Sequence, residues 1–577
     1  MRYILIIISL LNLLCAQSNE PQVAPLNPKF IKYQEDKKKG LIHKINSEGF
    51  YNGIIPHPTD YKIETPRNFK INFTFPEKYD LRDGGYVTPI KNQGSCGSCW
   101  IFATMGSIES YWKKMGLGNI DLSENNAANE NGFEGDPCDG GNAKQITPYL
   151  IRGDGPISEV DDPYTLGKTL YNPMSDPQGI VTEARFLPND MDVIKQSITD
   201  YGGLFSSFWW YEVEDGDFWN YYNQTNNTYF YSSNPNDTTN TGHAIVLIGW
   251  DDNMQTAGGT GAWIIKNSWG DNFGENGYFY ISYQDAFINS GQIASWPGRR
   301  DYNEHSTIYY YDKLGHLADW GYDDDGIDYA LVKYTINNDE TLFKVGTYMV
   351  RGNSQLSFDI WDDFNNGVLS TLLGNTSVAN VNNCDYPGYY TYNIPSPIAV
   401  TAGDDIYIRV RYQTTGYGYP IPIEGYSEDY ANPQIEAEGF WISSNGDSNS
   451  WYQVSGNVDR PYDPCIKLYT TITAWVAVEN HITNSMEFKL DQNYPNPFNP
   501  ATTITFELSE DTDVKILIYD MAGRLIRELV NQPMNVGTKT ISWDSKDNLG
   551  QSVSGGIYFY KLQAGDFTQT KKMVLMK

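Results

Sequence analysis

Cys96 and Cys99 stand three residues apart just ahead of an apolar stretch, and their types and spacing admit three chemistries. Two thiolates can hold zinc, but a zinc site needs a second pair of ligands, and the chain has no second Cys-x-x-Cys and no histidine pair. A dithiol can cycle with a disulfide, but that use belongs in a strand–helix–strand setting with the tryptophan usually ahead of the motif. Here Trp100 follows it and Gln93 precedes it. A single thiolate can attack a carbonyl, which requires a lowered pKa, as the free amides of a helix N-terminus provide, and a base within reach. Between Glu77 and Pro297 the one candidate base is His243.

The elements that must position these groups are visible in the pattern. Phe102, Met105, Ile108 and Trp112 recur at helical spacing and Gly116 offers a stop, so Cys99 is predicted on the first turn of a buried helix. His243 opens the apolar, β-branched run Ala244–Trp250, a buried strand. A second such strand, Trp263–Lys266, ends in the polar turn Asn267-Ser268-Trp269-Gly270.

The run from Tyr79 to Trp100, ending Gln93-Gly94-Ser95-Cys96-Gly97-Ser98-Cys99-Trp100, resembles the start of a mature papain-like cysteine peptidase. Gly242-His243-Ala244, Lys266-Asn267-Ser268-Trp269-Gly270, Gly277-Tyr278-Phe279-Tyr280, Leu122-Ser123-Glu124 and Asp162-Pro163-Tyr164 extend the likeness. His243 follows Cys99 by 144 residues, inside the family's spacing of about 130–150. Asn267 follows by 168, which growth of the loop 251–261 absorbs. The resemblance implies an α+β fold of two lobes, the helical one carrying nucleophile Cys99 and the β-rich one carrying His243 as base and acid. It further implies that Asn267 orients the imidazole, that Trp269 covers that hydrogen bond, and that Gln93 helps hold the oxyanion. Gly140 and Gly141 would present backbone to an extended peptide, and Cys96 would pair with Cys138. Leu204–Phe208 aligns with a strand lining the specificity pocket, and 221–241 is an insertion that either overhangs the cleft or lies idle on the surface.

Around this core the chain reads as an exported, multidomain protein. Residues 1–16 have the form of a signal peptide, and Leu14 ahead of Cys15 speaks against a lipid anchor. Residues 17–76, charged and Pro-punctuated, are read as a propeptide, 77–298 as the peptidase domain, 306–471 and 490–577 as two all-β sandwiches, and 472–489 as a linker. A net charge of −30 argues against nucleic acid as a partner, and none is expected. No long apolar run follows the signal, so no integral membrane segment is expected. The first sandwich, through Gly439-Phe440-Trp441-Ile442-Ser443-Ser444 and Cys465-Ile466-Lys467, resembles a bacterial lectin-like domain, which makes a glycan a possible ligand. The second, through Asn493–Pro500, Val514–Asp520, Gly555–Tyr560 and Lys571-Lys572-Met573, resembles the C-terminal sorting domain of type IX secretion in Bacteroidetes-like bacteria. That likeness implies the secretion machinery as a partner and a secreted or cell-surface location. If Cys96 pairs with Cys138, Cys384 and Cys465 are expected to close the first sandwich, leaving Cys99 free. Asp323-Asp324-Asp325 lacks the spacing of a calcium loop and is read as a solvated turn. No cofactor and no metal are expected. The function implied is a secreted cysteine endopeptidase acting on proteins or peptides. The alternative is a surface or glycan-binding protein whose peptidase domain is inactive or only processes itself.

Overall fold

The structure, a computed structural model, describes residues 20–40, 53–67, 69, 74–165, 175–210, 218–232, 241–289, 291–323, 326–375, 382–448, 450–456, 461–472, 488–493, 496–508, 512–534, 537–565 and 567–576. The signal peptide, most of the linker, Asp324, Asp325 and 233–240 of the insertion lie outside the described residues.

Among the described residues, five α-helices precede the β-rich remainder: α1 (Pro28–Lys38), α2 (Cys99–Lys114), α3 (Glu124–Glu130), α4 (Ala143–Ile151) and α5 (Met191–Tyr201). As its periodicity predicts, α2 is buried along its length, with Ile101, Met105, Ile108 and Trp112 solvent-free, and it ends where Gly116 turns left-handed at φ 90°. Asn142 caps α4 by accepting from the Gln145 amide, and Asp190 caps α5 through the amides of Asp192 and Val193. Against the helices lies an antiparallel sheet. Leu204–Trp210 pairs with Thr241–Thr256, which pairs with Gly259–Lys266, which pairs with Tyr278–Ser282. On its other flank Leu204–Trp210 meets Ile293–Arg300, which pairs with Ile180–Leu187.

The sheet does not stop at the domain boundary read from sequence. Ile180–Leu187 pairs with Gly388–Val400 of the following sandwich, and the sheet continues through Glu340–Met349 and Ile466–Ile472 to Ser306–Tyr309, thirteen strands in all. Gly388 makes the junction possible, because a Cβ there would stand 2.0 Å from the Ala184 carbonyl oxygen. A seven-stranded sheet around Ser354–Asn365, Asp405–Gln413 and Ile327–Thr335 packs over this extension, and Leu342, Val345 and Leu468 on one side meet Leu356, Ile408 and Val410 on the other. The expected sandwich is present, but one of its faces belongs to the peptidase sheet. The last domain is a separate sandwich of a three-stranded and a four-stranded sheet around Ile504, Phe506, Ile516, Trp543 and Tyr560.

The expected Cys384–Cys465 bridge is absent. Cys384 ends a short strand of the seven-stranded sheet, and its thiol meets the Tyr392 hydroxyl at 3.0 Å. Cys465 precedes a strand of the thirteen-stranded sheet and packs with the peptidase core. Both are buried and outside any disulfide, and they belong to different sheets, which spacing along the chain could not reveal.

The N-terminal segment threads across both units. Gln22–Val23 adds an edge strand to Ala318–Gly321. α1 buries Phe30 among Leu314, Leu317, Tyr430 and Ala431, and residues 53–55 cross the face of the peptidase sheet between Gly242 and Gly141.

Candidate active site

Cys99 is the first residue of α2 and is fully buried. The hydroxyl of Ser98, the residue before it, engages Tyr164 at 2.8 Å rather than capping the helix, so the amides of the first turn stay available. The Ala244 amide donates to the Cys99 sulfur at 3.4 Å, and the amides of Trp100 and Gly53 also favour the thiolate. Burial outweighs them and pushes the thiol up to about 12.

His243 lies across the strand pair from Phe208. Its Nε2 meets Asn267 Oδ1 at 2.8 Å, while Nδ1 makes no hydrogen bond among the described residues. Trp269 stacks on the imidazole with ring centres 4.5 Å apart, closing the His243–Asn267 contact from solvent. Burial pulls His243 down to about 4, partly offset by the bond to Asn267. Gln93 is wholly buried and pinned on both sides: its amide nitrogen donates to the Cys96 carbonyl at 2.8 Å and its oxygen accepts from Ser268 Oγ at 2.6 Å.

The glycines singled out in the sequence line the cleft. Gly141 accepts from the Ile55 amide at 3.0 Å and donates to the Gly53 carbonyl at 2.8 Å. A Cβ on Gly141 would collide with the Trp100 ring at 2.3 Å. Gly140, at φ 100°, turns the chain out of the short helical turn at Pro137–Asp139. The Cys96–Cys138 bridge forms, tying this turn to the loop before the nucleophile. Gly53 passes directly over the thiol, and a Cβ there would stand 2.7 Å from the Cys99 sulfur and 2.1 Å from the Gly97 carbonyl oxygen.

Two supports escaped the sequence reading. Phe273 packs edge-on to Trp269 at 4.9 Å, and Phe218 does so at 6.0 Å while stacking on Tyr222 and Tyr229. Tyr222 and Tyr229 of the insertion thus back Phe218, which with Phe273 braces Trp269. Beneath the site, Glu109 of α2 accepts from Thr88 Oγ1 at 2.5 Å, Lys91 Nζ at 2.9 Å and the Leu122 amide at 3.0 Å, fixing the helix to the loop carrying Gln93. A buried carboxylate in mid-helix and the aromatic density of 218–231 were the available signals.

A helix-borne thiol bonded by the amide that follows a strand-borne imidazole is the arrangement of a cysteine peptidase. Residues 75–296 match the papain family cysteine protease, 308–470 the lectin like domain, and 492–576 the secretion system C-terminal sorting domain. The chain is 30% identical over 265 residues to cathepsin J of Mus musculus, covering 44% of this chain and 74% of that protein. It is 30% identical over 236 residues to cathepsin S of Mus musculus, covering 38% of this chain and 62% of that protein. Among solved structures, the cysteine protease and lectin-like domains of Cwp84, a surface layer associated protein of Clostridium difficile, share the fold. The TM-score is 0.65 at 23% identity, covering 79% of this chain and all of that one. The chain belongs to the papain family of cysteine proteases.

Proposed function

We propose that the protein is a secreted endopeptidase, made as a latent precursor, that hydrolyses peptide bonds through a thioester on Cys99. His243 Nδ1, left without a partner, takes the thiol proton and returns it to the leaving amine, and water then hydrolyses the thioester. Asn267 holds the ring by its other nitrogen and Trp269 keeps water from that bond. The Cys99 amide and the second N–H of the Gln93 amide hold the oxyanion. Loss of one such donor costs about 3–4 kcal/mol in comparable sites. Residues 17–76 keep the enzyme latent until they are removed, and the sorting domain directs export through the type IX route of a Bacteroidetes-like bacterium to the medium or cell surface. The observation that carries the reading is the His243 ring, fixed by Asn267 and Trp269 with Nδ1 free. The outer face of the seven-stranded sheet carries the partly exposed Trp361, Tyr407 and Trp441 beside Arg409, a platform suited to a glycan.

Intact-mass labelling with the epoxide inhibitor E-64, with Cys99→Ala as control, tests the mechanism after incubation in mildly reducing, slightly acidic buffer. One adduct, lost in the variant, together with loss of peptide turnover is expected. No adduct on protein that has shed residues 17–76 would put the binding-protein alternative first.

A further inference from the structure

The N-terminal segment drives one side chain into a pocket that the catalytic machinery does not use. Tyr61, eight residues beyond Gly53, is 6% exposed and lies between the peptidase and the following sandwich. Lys144 of α4 sets its Nζ 3.3 Å from the centre of the Tyr61 ring, and Phe186 packs on that ring at 5.2 Å. From the other unit, the His316 ring lies within 11° of parallel to it, and His316 Nδ1 meets the Tyr61 hydroxyl at 2.8 Å.

The pocket is built for a phenol. The Asp319 carboxylate accepts from His316 Nε2, which puts a proton on that nitrogen, and burial holds His316 below its ordinary range. In that Nε2-protonated tautomer Nδ1 accepts from the tyrosine hydroxyl that faces it. Asp319 is itself held by the Tyr417 hydroxyl at 2.5 Å, and Tyr348 packs behind His316 at 5.8 Å. Phenylalanine would fill the same volume but leave a buried acceptor unpaired. The ammonium over the ring adds a preference for an aromatic face. All the lining groups belong to residues C-terminal to 76, so they remain when the segment goes, while the hydrogen bonds of Lys144 to Thr59 are lost with it and leave its ammonium to the incoming ring.

We propose that this pocket is a tyrosine-reading subsite: once residues 17–76 leave, it takes the side chain of a tyrosine in a polypeptide substrate that also lies across Cys99. The proposal rests on the protease reading and deepens it by naming what a substrate must carry. The strand path from Cys99 past Gly141 to the pocket is the one that residues 53–61 now occupy.

The test uses processed protein and two synthetic peptides spanning residues 53–67, one native and one with Tyr61→Phe, as competitors of a small fluorogenic substrate. The native peptide is expected to inhibit about tenfold more tightly or better, and His316→Leu to bring the two within about twofold. Lys144→Met should weaken both peptides alike. Mapping cleavages in an unfolded protein substrate should show tyrosine enriched at one fixed offset from the cut bonds. Equal inhibition by the two peptides, or no offset with tyrosine enrichment, overturns the subsite. If intact mass shows residues 17–76 retained, it is the maturation reading that fails. The pocket is then tested in the full chain by hydrogen exchange, where Tyr61→Phe should speed the amides of Gly53, Ile54 and Ile55 about tenfold. Unchanged exchange overturns the pocket's preference for a hydroxyl.

Discussion

At the scale of single residues, the proposed site depends on groups whose hydrogen bonds leave one atom free for chemistry. Gln93→Ala should lower kcat by about 10²–10³ with little change in KM, because its amide acts on the developing oxyanion and not on the ground state. Steady-state kinetics on processed protein decides this, and a change confined to KM would remove Gln93 from that role. These side chains were legible because each sits in a short run whose neighbours are dictated too: Asn267 beside Trp269, Gln93 ahead of Cys96 and Cys99. Cys384 and Cys465 were not, since a pairing argument from number alone ignores which sheet each strand joins. Alkylation of unfolded but unreduced mature protein should therefore label both of them along with Cys99, while folded protein protects both. A mass consistent with a second bridge would contradict the structure.

At the scale of elements, residues 53–61 act as a strap whose docking is linked to protons. While the strap covers it, His243 is held at about 4 against an ordinary 6.5, and Lys144 at about 7 against 10.5. Both pKa values are lowered in the docked state, so that state binds fewer protons than the open one between pH 4 and 6.5 for His243 and between pH 7 and 10.5 for Lys144. On these two groups docking weakens as pH falls through each window, whereas Cys99, pushed up to about 12 beneath Gly53, works against docking only once pH rises past its ordinary 9. Conversion of the full chain to processed enzyme, followed by gel, should accelerate as pH drops from about 7 towards 4. A rate that is flat or rises with pH would disprove this linkage. Gly53→Ala should speed conversion at every pH, since its methyl would stand 2.7 Å from the Cys99 sulfur. Nothing in the sequence of 17–76 marked Gly53 or Tyr61. The strap has little internal periodicity, and its conformation comes from the surfaces it crosses.

At the scale of the whole molecule, the three domains were legible in composition and motif, but the joint between the first two was not. The register of Gly388 and Tyr389 opposite Arg185 and Ala184 links strands about two hundred residues apart, and no local pattern encodes such a pairing. Tyr348, Val350, Tyr389 and Cys465 of the second unit belong to the same core as Trp296 and Phe205 of the first, whereas the last domain has a core of its own. Calorimetry should resolve two transitions, one for the fused pair and one for the tail, and Gly388→Val should lower only the first. Three independent transitions would show that the joint carries no stability. The joint has another consequence. A strand at the rim of a sheet offers bare amides and carbonyls to any passing chain, and a protein that works outside the cell meets unfolded polypeptide as its daily material. By pairing Gly388 and Tyr389 with Arg185 and Ala184, the molecule covers part of a flank to which its own substrates could otherwise adhere.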